Sequence, residues 1–194
     1  MNSTTTKNAA MAMCTSHKHV ITPLLSSDYS TAEMEDFRKG MKKLCDIMGS
    51  VYLILDLDLE EEDYRTHMRD PTAVRQVATD PGVTPNFAGL TTLADIEQAK
   101  ADFGAQKEAF CHQEGVTEAL KTIILENVPE SILQHLEDNG YTHVTPLEMM
   151  NAIVAAATEE MKLSALTNNT MNIWSCLILK ERSLSAPPSP RKRS

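Results

Sequence analysis

The sequence predicts a mainly α-helical protein, an irregular helix bundle with one long central helix and disordered termini. Three observations predict it. Apolar residues recur at steps of three, four and seven, as one face of a helix requires. Two Ser/Thr-x-x-Glu signatures, Ser30 to Glu33 and Thr145 to Glu148, stand at the head of periodic stretches. There a hydroxyl and a carboxylate can satisfy the orphan amides of a helix start. Gly49, Pro129, Gly140 and Pro146 punctuate the stretches at the positions where helices stop or begin.

Residues 1–20 are polar and low in complexity, with too little apolar surface to offset chain entropy, so a disordered N-terminal tail is expected. The segment has no apolar stretch of a secretory signal and no arginine of a mitochondrial one. A helical domain is expected over 21–166. Its first helix runs from about Thr31 to Met48, with Met34, Phe37, Met41, Leu44, Cys45 and Met48 on one face and Gly49 as the left-handed stop.

Val51 to Leu55, continuing through Asp56, Leu57, Asp58 and Leu59, fits a buried strand or a helix, and its length does not choose between them. A short helix from about Leu59 to Met68 should follow, its carboxylate-rich start matched to the helix dipole. Pro71, Pro81, Gly82, Pro85 and Gly89 make 70–90 a loop, with room for one helical turn at Ala73 to Val77.

The long helix begins at Thr91 or Thr92 and carries Leu93, Ile96, Phe103, Phe110, Ala119, Leu120, Ile123 and Ile124. Gly104 and Gly115 each lower its propensity by about 1 kcal/mol and are candidate bends. Pro129 ends it and suits the first turn of a helix from Glu130 to Glu137, closed by Asn139-Gly140. Thr145-Pro146-Leu147-Glu148 opens a last helix to about Leu163, bearing Met149, Met150, Ile153, Val154, Ala157 and Met161. Residues 167–194 pair an apolar patch, Trp174 to Leu179, with a proline-containing basic tail expected to be disordered.

Composition narrows the function. The 194 residues are 42% hydrophobic but only 5% aromatic, so aliphatic side chains and the 11 methionines must fill the core. A net charge of -9 repels phosphates and anionic membranes, so the acidic body does not support RNA binding. A nucleic-acid contact would need a local basic segment, and only the end of the chain, with Arg191, Lys192 and Arg193, offers one. The four cysteines form no C-x-x-C pair, which suits free thiols in a reducing compartment, and a cytoplasmic location is expected. The longest aliphatic run, Ile153 to Ala157, is far short of the ~20 residues of a membrane helix, so no membrane partner is expected.

Reactive groups are sparse. Asp56 and Asp58 could hold a divalent cation for a transferase, but no phosphate cradle follows them, and a solvated acidic edge is the simpler reading. Cys111 and His112 are neighbours on a helix, and neighbours point about 100° apart and cannot pair. His17, His19, His67, His112, His135 and His143 never adopt a zinc spacing. Asn168-Asn169-Thr170 fits a glycosylation acceptor, and Ser189-Pro190 before the basic cluster fits a phosphorylation or import signal. No enzyme activity, cofactor, metal or small-molecule substrate is expected. The chain should work by binding or assembling.

One ordered set of motifs points to a family. Ile21-Thr22-Pro23-Leu24 leads in, and Gly49 to Leu55 precedes Glu62-Asp63-Tyr64. Pro81-Gly82-Val83-Thr84-Pro85 forms the loop, and Phe110 is followed by Gly115 to Leu120 and by Ile123-Ile124. Val128 to Leu133 leads to Leu136, and Thr145 to Met150 closes the series. In this order, over about residues 20–160, the chain resembles the N-terminal portion of the gag-like capsid proteins of copia-type retrotransposons of the algal type. The resemblance implies a capsid-like structural role, with copies of itself or other gag-type subunits as partners. Such proteins often carry a Cys/His zinc knuckle for RNA, and the Cys spacing here provides none. Candidate contact residues are Met149, Met150, Met161, Trp174, Leu177 and Leu179, where association needs exposed apolar surface; packing into the chain's own core is the simpler reading for the methionines and an even alternative for the Trp174 to Leu179 patch. The rival reading is a helical protein-interaction adaptor without a retroelement role.

Overall fold

The structure is a computed structural model of the whole chain, and residues 3–24, 30–54, 61–75, 77–86, 89 and 92–158 are described. Among them every regular element is helical. The order is α1 (Ser3–Ser16), a 3₁₀ turn (Lys18–Val20), α2 (Thr31–Ile47), a second 3₁₀ turn (Val51–Leu53), α3 (Glu61–Met68), α4 (Leu93–Glu126), α5 (Glu130–Asp138) and a third 3₁₀ turn (Tyr141–His143). A last helix, α6, covers 146–158. By internal contacts the chain divides into two units, 1–154 and 155–194. Of the second, only the α6 residues 155–158 are described.

The helix starts follow their local chemistry. Ser30 accepts from the Glu33 amide at 3.2 Å, while the Glu33 carboxylate accepts from the Ser30 amide at 2.6 Å. Thr145 and Glu148 repeat the exchange at 3.2 and 2.9 Å ahead of α6. Thr92 caps α4 by accepting from the Asp95 amide at 3.1 Å. In both boxes the carboxyl is held below its usual pKa, first by the backbone amide it accepts from and then by the hydroxyl.

The N-terminal segment overturns the expectation of a disordered tail. Residues 3–16 form α1, which packs along α4, with Ala10 and Cys14 buried. The packing relies on small residues. A Cβ on Gly115 of α4 would collide with the Lys7 carbonyl oxygen and lie 3.0 Å from the Ala10 Cβ, so only glycine lets the two backbones come this close. Lys7 adds ion pairs to Glu118 and Glu114. The chain then crosses α2 at Gly40, where a Cβ would stand 2.9 Å from the Ile21 Cα. It returns to the end of α4, where the Leu24 amide donates to the Asn127 carbonyl at 2.8 Å.

The core is aliphatic and sulfur-rich, as the low aromatic content requires. Phe37, Met41, Leu44, Val51, Leu120, Ile123, Ile124, Ile132, Leu136, Met149, Met150 and Ile153 are fully buried. Val51 to Leu53 is a 3₁₀ turn rather than a strand, while 55–60 lie outside the described residues. α4 runs unbroken through Gly104 and Gly115, so neither glycine ends it. α3 begins at Glu61, and α5 ends at Asp138, followed after Asn139 by Gly140 at φ 74°, a conformation glycine adopts without strain.

Candidate interaction surface

The sequence-derived contact residues divide sharply. Met149 and Met150 are 0% and 1% exposed, because α6 turns that face into the core. They fill the interior and present no surface, which corrects their reading as contacts. Met161, Trp174, Leu177 and Leu179 lie outside the described residues, as do Arg191, Lys192, Arg193, Asp56 and Asp58.

The reactive side chains that are described are dispersed. Cys14, Cys45 and Cys111 are free and buried. Burial pushes the Cys14 thiol up to about 11, and burial first, then Cys14 and Asp46, push Cys45 further. A thiol so far from its thiolate is a poor nucleophile. Among the described residues no imidazole hydrogen-bonds a thiol, and no three His, Cys, Asp or Glu side chains gather as a metal site. His17 and His19 stack loosely, 6.2 Å between ring centres, at the exposed end of α1. A cleft of about 510 Å³ beside α3 is lined by Glu62, Arg65, Thr66, Arg69, Asp70 and Pro71. Its groups serve the local turn: Arg65 donates to the Ala73 carbonyl, and Asp70 accepts from the Thr72 amide and hydroxyl. No described helix is long and apolar enough to cross a membrane.

The surface that stands out is on α4. From Leu93 to Phe110 no residue is buried, although this stretch is over half of the helix. At ~1.5 Å per residue the stretch is about 27 Å long. From Cys111 onward the helix enters the core through Cys111, Gly115, Val116, Ala119, Leu120, Ile123 and Ile124. The first stretch is still patterned. Ile96, Ala99, Phe103 and Phe110 are half-buried, and Leu93 is 71% exposed. At about 100° per residue, the stripe through Phe103 points roughly opposite to the core face around Ala119 and Ile123. Facing the core with one half therefore turns the apolar stripe of the other half away from it.

A strap of the 70–90 loop closes the inner end of this stripe. Gln113 accepts from both the Tyr52 hydroxyl at 2.8 Å and the Ala78 amide at 2.7 Å. Asp80 holds the Lys107 ammonium at 2.7 Å, and that ammonium lies 5.4 Å from the centre of the Phe110 ring. Lys107, Phe110 and Gln113 together form the landing site. Sequence reading found the loop but not the strap, since nothing local marks which glutamine will receive a distant amide.

No family model, curated protein or solved structure matches the chain.

Proposed function

We propose that this chain is a structural, gag-type assembly subunit, acting in the cytoplasm by associating with copies of itself or with related subunits. The observation that carries the proposal is the first half of α4, a patterned stretch of helix in which no residue is fully buried. The ordered motifs between Ile21 and Met150 that resemble capsid proteins point the same way. Assembly subunits need a rigid body and a surface that repeats between identical chains, and they need no reactive centre. Sedimentation equilibrium of the full chain at rising concentration tests the proposal. Reversible growth in mass supports it, and a monomer at every concentration and salt removes it.

A further inference from the structure

α1 and α2 are held in the fold in different ways. α2 sinks Met34, Phe37, Met41 and Leu44 into the core. α1 buries only Ala10 and Cys14, and most of its 14 residues are exposed. Two small side chains remove little apolar surface from water. A helix this short is marginal without strong packing. What remains is the backbone contact at Gly115 and the ion pairs of Lys7 with Glu114 and Glu118. Those three side chains stay partly in solvent, where ion pairs contribute little and are screened by salt.

The chain just beyond α1 is anchored independently. Ile21 and Leu24 are buried, the Ile21 backbone lies against Gly40 of α2, and the Leu24 amide donates to the Asn127 carbonyl. Between α1 and this anchorage lies the 3₁₀ turn Lys18–Val20, in which no residue is buried. A rotation of the backbone there lifts α1 off α4 and leaves α2 and the end of α4 undisturbed.

We propose that α1 is a detachable latch: it lifts from α4 as one unit, hinged at Lys18–Val20, and uncovers the Gly115 face of α4 while residues 21–24 stay in place. Opening leaves the core folded, so it takes less free energy than global unfolding. The latch goes beyond the assembly reading, because it holds for a single copy as well as for an assembled one. Salt favours the open form by screening the Lys7 pairs and the pair of Lys18 with Glu126 beside the hinge.

Cys14 on α1 and Cys45 on α2 are equally and completely buried, so static burial alone predicts equal protection from a thiol reagent. The latch predicts that N-ethylmaleimide modifies Cys14 of the full chain at least about a hundredfold faster than Cys45, read by peptide mass spectrometry. Raising salt from about 0.05 to 0.5 M should speed Cys14 labelling about two- to fivefold and leave Cys45 unchanged. Lys7→Gln should speed it similarly and blunt the salt response. Hydrogen exchange separates opening of the whole helix from fraying of its last turn: the amides from Lys7 to Ser16 should exchange together, faster than the buried turns of α2 and slower than an unfolded peptide. Equal labelling of Cys14 and Cys45 would mean that α1 opens only with the core, which overturns the latch. Fast Cys14 labelling beside protected amides around Lys7 overturns it too, as fraying alone. Exchange at unfolded-peptide rates would instead mark a helix that never docks. A Cys14 rate indifferent to both salt and Lys7→Gln would remove the ion pairs from its closure.

Discussion

Residues 93–110 and 111–126 of α4 share one continuous helix but have opposite relations to the rest of the chain. The second stretch buries seven residues and receives α1, while the first buries none. The difference does not arise from apolar content alone, since the first half carries Leu93, Ile96, Phe103 and Phe110. It arises from phase. The apolar stripe of each half occupies a different side of the helix, so packing one half turns the other stripe outward. A helix built this way packs the core with one end and turns the patterned face of the other end away from it.

Truncating a side chain in each half should expose the contrast most strongly. Leu120→Ala empties a fully buried site and should cost about 2–5 kcal/mol in urea unfolding. Leu93→Ala removes a side chain that is 71% exposed and should stay within about 0.5 kcal/mol of the parent in dilute solution. Equal costs would mean that the first half is covered after all.

The two glycines of α4 sharpen the same comparison with a smaller effect of opposite sign. Gly115→Ala forces a methyl group against the Lys7 backbone and should destabilise by about 1–3 kcal/mol. It should also speed thiol labelling of Cys14, since α1 must lift to relieve the overlap. A Cβ on Gly104 meets nothing within 4 Å. Gly104→Ala should therefore stabilise, by up to about 1 kcal/mol, through helix propensity alone. Thermal unfolding of the pair reads both signs, and a shift in the same direction for both would break the assignment of Gly115 to a helix contact.

These glycines also mark how far the sequence could be read. Both look alike in it, as weak points in a helical pattern. What distinguishes them is the arrival of α1, more than 100 residues away in sequence, and no local signal announces that. α1 itself was illegible for the same reason. Its buried residues, Ala10 and Cys14, are small, and its hold on α4 comes from close backbone approach rather than a bulky apolar stripe. α2 was legible because its start is a complete capping box and its face repeats Met34, Phe37, Met41 and Leu44 at helical steps. Met149 and Met150 were placed on the right helix, with the core favoured but contact left open because a methionine suits core and surface equally, and the structure buries both.

The smallest expected effect concerns the strap, which separates the two halves of α4 and should hold only within a pH window. The Lys107 hydrogen bond, followed by the Gly82 amide, keeps the Asp80 carboxyl below its ordinary pKa. A depressed pKa stabilises the folded form above the ordinary value and loses that contribution as the pH falls through the folded value. The acid limit of the strap should thus lie below about pH 4. At the other end, Asp80 raises the Lys107 pKa, so its contribution is complete below the ordinary lysine value and is lost as the pH climbs above it, beyond about pH 10. The Ala78 amide, which donates to Gln113 beside this ion pair, is the reporter. Its chemical shift should stay flat between these limits and move outside them, and Asp80→Asn should remove the acid step while leaving α4 helical. A step near neutral pH would instead place control of the strap with a histidine, and an acid step that persists in Asp80→Asn would assign it to another carboxylate.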